Sequence, residues 1–218
     1  MGKLIVIEGL DGCGKATQTA LLAEFLARRG TEVKSLEFPC YDSDSSALVK
    51  MYLSGRFGSR PDDVNCYAAS MFYAADRFAS YKSDWQSAYI SGGIMIADRY
   101  TTSNAVYQMA KLPPEQWESY CEWLWDFEYV KLGIPKPDFV IYLDMSPEVS
   151  ERLLAVRYGN DDSKKDIHER DRDFQRRCRK AALWCAERFG WRVIRCDVDG
   201  EPKTIEEISA QIIAAVNL

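Results

Sequence analysis

The segment Gly9-Leu10-Asp11-Gly12-Cys13-Gly14-Lys15 has the spacing Gly-x-x-x-x-Gly-Lys and follows directly on an apolar, β-branched run, Leu4 to Ile7. Residues of these types, placed between a strand and a helix, hold a polyphosphate. Glycines let the backbone wrap an anion with its N–H groups inward, the helix N-terminus adds partial positive charge, and a lysine neutralises phosphate oxygens. The expected cradle is Asp11, Gly12, Cys13, Gly14, Lys15, Ala16 and Thr17. Ala16 stands where this motif usually has a Ser or Thr that ligates Mg²⁺, and the hydroxyl comes one position later at Thr17. Any Mg²⁺ must then rely on nucleotide oxygens, waters and a carboxylate from elsewhere.

Asp98-Arg99-Tyr100 supplies such a carboxylate, because it follows the short strand Ile94 to Ala97, and parallel strands open their carboxyl ends onto one crevice. Asp98 there holds Mg²⁺ directly or through water, and Arg99 clamps a second phosphate. Both also fit a helix N-cap beside a surface arginine. Tyr73 and Arg77 stand four apart on a helical stretch, so an aromatic face and a guanidinium project together, suited to stacking a base and donating to its carbonyl. Two aromatics on a helix also suit an ordinary core. The adjacent Phe72 points elsewhere and reads as core, with the stacking role as its alternative.

Strand-like runs recur at Glu32 to Phe38, Ile94 to Ala97, Phe139 to Asp144 and Trp191 to Cys196. Helical patterns fill the intervals: Leu21 to Leu26, Val64 to Lys82, Pro114 to Leu132, Pro147 to Arg157, Ile167 to Phe189 and Thr204 to Val216, the last opening on a Thr204-x-x-Glu207 capping box. This alternation predicts a doubly wound α/β fold, a parallel five-stranded sheet with helices on both faces. At 218 residues and 47% hydrophobic, the chain suits one domain, 1–218. Arg157 to Arg172 is nearly devoid of apolar residues, which fits either a solvated loop or a mobile lid at about 157–166.

The apolar runs are too short to span a membrane, and no targeting segment is visible. Seven cysteines without a C-x-x-C pair suggest neither a disulfide framework nor a zinc site, so reduced thiols and a cytoplasmic location are expected. The one histidine, His168, makes a Ser-His-Asp triad a poor fit. A net charge of −5 does not suggest a partner that reads nucleic-acid phosphates.

Taken in order, Ile7-Glu8-Gly9-Leu10-Asp11-Gly12-x-Gly14-Lys15, Phe38-Pro39, Phe72-Tyr73-Ala74-Ala75-Asp76-Arg77, Asp98-Arg99-Tyr100 with Ser103, Asn104 and Tyr107, and Pro135-x-Pro137-Asp138-x-x-x-Tyr142-Leu143-Asp144 resemble the thymidylate kinase family over nearly the whole chain. The resemblance implies a P-loop NTPase fold and phosphoryl transfer from Mg²⁺-ATP to dTMP. It implies a dTMP site of Asp11, Phe38, Pro39, Tyr41, Tyr73, Arg77, Arg99, Ser103, Asn104 and Tyr107. Within it Tyr73 and Arg77 stack on thymine and bond its O4, Asn104 meets N3, Tyr107 crowds a ribose 2′-hydroxyl, and Asp11 approaches the sugar. Lys15, Asp98, Arg99 and Arg157 are implied as catalytic.

Two departures stand out. Family members usually carry an arginine just after Phe-Pro, where this chain has Cys40 and Tyr41, so Arg99, Tyr41 and Lys50 are left to hold the acceptor phosphate. The phosphate loop contains no arginine, so Arg157, with Arg152, Lys164 and Lys165, must bring that charge from the lid. A homodimer is implied, with Trp117, Tyr120, Trp123, Trp125 and Phe127 as either contact or core, and adenine near Asp197 to Pro202. A deoxynucleoside kinase with Glu37 as base, and a nucleotide-binding regulator without catalysis, are the alternatives.

Overall fold

A computed structural model describes residues 1–159, 161 and 165–216. Its centre is a five-stranded parallel sheet ordered β2-β3-β1-β4-β5, built from β1 (Lys3–Gly9), β2 (Val33–Glu37), β3 (Ile94–Asp98), β4 (Phe139–Asp144) and β5 (Arg192–Arg195). Strand β1 is central because every residue from Leu4 onward is apolar or tolerates burial on both faces. Period-two alternation sends Ile5 and Ile7 to one layer and Leu4 and Val6 to the other.

The first layer holds α1 (Lys15–Arg28), whose Leu22 and Leu26 face the sheet. The opposite side of the sheet carries α2 (Ala47–Leu53), α3 (Cys66–Ser80), the short α4 (Gln86–Ile90) and the three-residue α5 (Thr101–Ser103), then α6 (Trp117–Trp125). Helix α7 (Pro147–Tyr158), α8 (Arg172–Phe189) and α9 (Ile205–Val216) complete the chain, α9 packing beside α1 in the first layer. Each fully buried Leu or Ile of these layers contributes about 1.5–3 kcal/mol relative to exposure. The Thr204 capping box forms, with Glu207 N donating to Thr204 Oγ1 at 3.2 Å and Thr204 N donating to Glu207 Oε2 at 2.8 Å.

Several stretches differ from the sequence pattern, and α2 and α4 are not among the expected helices. The helix expected over Ile167 to Phe189 begins only at Arg172. The Asp166 carboxylate accepts from His168 N at 2.8 Å and Glu169 N at 2.9 Å, folding 167–170 into a turn, and Asp171 then caps α8 by accepting from Phe174 N at 2.9 Å. Pro114 to Leu132 is broken into a 3₁₀ turn, α6 and a wider π turn over Asp126–Lys131. A small hairpin, β6 (Asp197–Val198) with β7 (Glu201–Pro202), carries no hydrophobic period long enough to signal itself. Of the stretch expected as a lid, Arg157 and Tyr158 end α7 and Gly159 closes it at φ 65°; residues 160 and 162–164, Lys164 among them, lie outside the described residues.

Candidate active site

The register of the sheet assembles the site. Asp98 lies level with Ile7 on one side and Glu37 on the other, so the phosphate loop after β1, the Phe38-Pro39 turn after β2 and Arg99 after β3 leave the sheet at one edge. They open onto a cavity of about 960 Å³. Its wall includes Asp11, Gly12, Gly14, Lys15, Ala16 and Thr17 from the loop, together with Asp98, Arg99 and Arg157. Phe38, Pro39, Tyr41, Tyr73, Arg77, Ser103, Asn104 and Tyr107 complete the predicted set. Cys13 and Arg152 are not brought to this wall. The Cys13 thiol turns into the core, and Arg152 reaches across to the β6–β7 hairpin, where it donates to the Gly200 carbonyl and meets Glu201 at 3.4 Å.

Gly12 and Gly14 take φ of 82° and 86°, left-handed values that a side chain disfavours, and Gly14 immediately precedes α1. A Cβ at Gly12 would also lie 2.8 Å from the Ser150 carbonyl oxygen. Lys15 Nζ donates to the Leu10 carbonyl at 2.9 Å, a neutral partner weaker than an anion would be. Asp98 is 8% exposed, and its Oδ1 has no partner among the described residues. A buried carboxylate oxygen without a donor, in a cavity that Lys15 and Thr17 also line, fits a hard cation that otherwise takes its oxygens from phosphate and water. Among the described residues there is no cluster of metal-ligating side chains that would hold such an ion without the nucleotide.

Arg99 sits at φ 65°, a strained value for a residue with a Cβ, and its side chain fills a socket of anions and a ring. It pairs with Asp11, lies 3.8 Å from Glu8 and stands over the Tyr107 ring at 5.1 Å. Burial would raise the Asp11 carboxyl, but Arg99 and Lys15 outweigh it and hold Asp11 below the usual carboxylate range. Tyr107 adds its hydroxyl, donating to Asp11 Oδ2 at 3.0 Å. Cys40, with a neutral side chain where a cation was expected, is pinned by its backbone, whose N–H donates to Asp76 at 2.8 Å. Lys50 lines the cavity nearby and donates to the Tyr41 carbonyl at 2.9 Å.

At the far end, Arg77 and Asn104 are both 1% exposed and share one anion, Glu128. Arg77 Nε and Nη2 donate to the two oxygens of Glu128 at 2.7 and 2.5 Å, Thr101 Oγ1 donates at 2.9 Å, and Asn104 Nδ2 donates at 3.2 Å. Burial alone would lower the Arg77 guanidinium, but Glu128 more than offsets this and the pair stays ionised. Tyr73 and Phe72 both pack on Tyr52 with centroids 6.4 Å away, but only Tyr73 lines the cavity, while Phe72 also packs on Phe57 at 5.6 Å.

A thymidylate kinase family model matches residues 7–212. A thymidylate kinase of Mycobacterium tuberculosis is 32% identical, covering 90% of this chain and 92% of its own. One from Caenorhabditis elegans is 35% identical over 68% of this chain and 66% of its own, and a probable thymidylate kinase of Pyrococcus horikoshii is 30% identical over 99% and 96%. The chain belongs to the thymidylate kinase family. A solved thymidylate kinase structure from Candida albicans, 24% identical, has the same fold, with a TM-score of 0.69 over 99% of this chain and 91% of that one.

Within this member of the family, several residues at the cavity wall or buried behind it carry little signal in the sequence. Glu128 was hidden in what read as a plain helix, and its only signal was an acid amid apolar neighbours in Phe127-Glu128-Tyr129-Val130. Glu8 is 0% exposed and accepts from Thr102 at 2.9 Å and Ser103 at 2.8 Å, so the Ser103 hydroxyl is committed to it. Asp166, His168 and Glu169 reach the cavity through the 167–170 turn. The large aromatic group resolves mainly as core: Trp117 and Tyr120 are buried, and Trp123 stacks on Phe127 at 5.4 Å. No helix among the described residues is long and apolar enough to cross a membrane.

Proposed function

We propose that this protein transfers the γ-phosphate of ATP to the 5′-phosphate of dTMP, giving dTDP and ADP. The observation that carries this reading is a single cavity with a phosphate loop at one end and the Arg77–Glu128–Asn104 network at the other. Asn104 has its amide nitrogen committed to Glu128 and to the Ser70 carbonyl, which leaves Oδ1 to accept from the N3–H of thymine. Arg77 Nη1, held only at 3.3 Å by the Tyr100 carbonyl, is free to donate to O4, and Tyr73 offers its ring to the base. Tyr107 covers the sugar.

A nonbridging oxygen of the dTMP phosphate attacks the γ-phosphorus, the bond to the β–γ bridging oxygen breaks, and ADP leaves with that electron pair. The acceptor is already largely anionic, since a phosphate monoester has its second pKa at about 6, so no side chain need take a proton. The chain's own work is alignment and charge neutralisation: Lys15 toward the β- and γ-phosphates, Arg99 with Lys50 and Tyr41 toward the acceptor phosphate, and Arg157 from the cavity rim toward the oxygens in transit. Asp98 is the residue that would hold Mg²⁺, directly or through water, and the ion would supply positive charge against the phosphate oxygens there. Exposed Tyr67, Met71 and Phe78 on one side of α3 support a homodimer, and seven free thiols support a reducing, cytoplasmic setting.

Incubation with γ-labelled Mg²⁺-ATP and dTMP tests the reaction. The label is expected in dTDP. Label in inorganic phosphate alone, or transfer to thymidine in place of dTMP with Glu37 as base, overturns the reading.

A further inference from the structure

Behind Tyr107 the cavity wall contains a polar chain that phosphoryl transfer does not use. His168, the one histidine of the sequence, is 5% exposed and lines the cavity. Its ring lies nearly parallel to that of Tyr107, with centroids 5.5 Å apart and 16° between planes, and Phe174 packs against it at 5.0 Å. Nε2 lies 2.8 Å from the Tyr52 hydroxyl. Lys111 Nζ donates to that same hydroxyl oxygen at 2.9 Å and to the Val64 carbonyl at 2.8 Å. Nδ1 has no protein partner among the described residues.

These contacts fix where the imidazole proton sits. Lys111 occupies a lone pair on the Tyr52 oxygen, and its charge opposes a second cation beside it. The Tyr52 hydrogen then chooses between Nε2 at 2.8 Å and the Pro61 carbonyl at 3.3 Å, and the imidazole is the closer acceptor. Nε2 is therefore the accepting nitrogen, and the neutral ring carries its hydrogen on Nδ1. Burial first, and Lys111 second, hold the imidazole pKa down at about 3, so the neutral form persists through the working pH range.

Tyr107 is thus bordered by two complementary groups. Its hydroxyl binds the Asp11 carboxylate, which only accepts, and its ring carries His168, whose exposed-side N–H only donates. A hydroxyl satisfies both at once. On dTMP the sugar has one free hydroxyl, at 3′, because the 5′ oxygen is phosphorylated and the 2′ carbon bears hydrogen. We propose that His168 is a specificity-determining residue that reads the 3′-hydroxyl of the acceptor through Nδ1–H, while Asp11 accepts from the same hydroxyl. This inference rests on the reading of the cavity as a dTMP site.

A single histidine makes the test direct. In protein made without a histidine tag and labelled with ¹⁵N-histidine, long-range ¹H–¹⁵N spectra report one imidazole. The expected result at pH 7 is a protonated Nδ1 and a bare Nε2, with the Nδ1 resonance moving on saturation with dTMP and not with its 3′-deoxy analogue. An imidazolium, the opposite tautomer, or the same response to both ligands overturns the proposal. Kinetics give a second arm: wild type should prefer dTMP over the 3′-deoxy analogue by about 10- to 100-fold in kcat/KM. His168→Phe should cut that preference at least 5-fold by losing activity on dTMP alone, and Tyr52→Phe should weaken it less. Equal losses on both acceptors mean that His168 only packs, and sink the idea. Wild type that binds neither acceptor by calorimetry overturns the reading of the cavity itself, and this inference falls with it.

Discussion

At the proposed base end of the cavity Arg77 and Asn104 are buried and both bonded to the buried Glu128. At the proposed phosphate end Lys15 rests on the Leu10 carbonyl, Lys50 on the Tyr41 carbonyl, Arg157 stands exposed, and Asp98 Oδ1 has no partner among the described residues. The contrast separates two tasks. Recognising a base needs donors and acceptors whose directions are set in advance, and a buried ion pair fixes them at the cost of desolvating both charges. Neutralising phosphates needs charge that an anion can reach: neutral partners hold Lys15 and Lys50 only weakly, whereas Arg99 is already aimed by its pairing with Asp11 and Glu8.

The largest expected effect lies at the phosphate end. Lys15→Ala should lower kcat by about 1,000-fold with its melting temperature near wild type, since only a carbonyl loses its partner. A loss below about 10-fold in a steady-state assay would break the assignment. At the base end the order reverses. Glu128→Ala strands Arg77 in the core and should cost about 3–5 kcal/mol of stability in denaturant titrations, besides weakening dTMP binding. A stability change under about 1 kcal/mol would show that the network is not sealed as described. Arg157→Ala, on the open rim, should reduce kcat by about 10- to 100-fold and leave stability unchanged. Wild-type turnover in that variant removes Arg157 from the mechanism.

Asp166, whose carboxylate caps the 167–170 turn at the cavity wall, predicts a pH signature. Burial, reinforced by Asp11, raises the Asp166 carboxyl to about 7, whereas an unfolded aspartate titrates near 3.8. The folded state therefore binds the extra proton across that interval, and stability from this group is full below about pH 4 and lost as pH rises toward 7. Asp166→Asn removes the loss and should gain on the order of 2 kcal/mol relative to wild type between pH 4 and 7, read from paired chemical denaturation curves. A gap that narrows with rising pH contradicts the assignment. The smallest effect is expected from Arg152→Ala, within about 2-fold in kcat/KM, because its contacts lie on the exposed hairpin.

The contrast between the ends also explains what was legible in the sequence. The phosphate end follows local rules: a glycine loop between strand and helix, and an Asp-Arg pair at a strand's carboxyl end, are motifs whose chemistry is carried by adjacent residues. Strand β4 reads off its apolar run to the residue. The base end depends on a partner 51 residues from Arg77 in sequence, Glu128, which no period or spacing connects to it. The turn that brings His168 to Tyr107 was masked for a similar reason. Its residues fall both in the charged loop or lid expected over Arg157 to Arg172 and in the helix expected from Ile167, and the Asp166 and Asp171 side chains bonding to the backbone decide against the helix there.

The proposed function requires that one cavity join a thymine-reading floor to a phosphoryl-transfer mouth. An ADP-release assay with Mg²⁺-ATP and a panel of dTMP, dUMP, dGMP, dCMP, UMP and thymidine measures it most directly. Turnover concentrated on dTMP, and lost there when Arg77 is replaced by Met together with Glu128 by Leu so that no charge is stranded, is the predicted result. Comparable turnover of dGMP or UMP, or an undiminished rate on dTMP in that double variant, would contradict it.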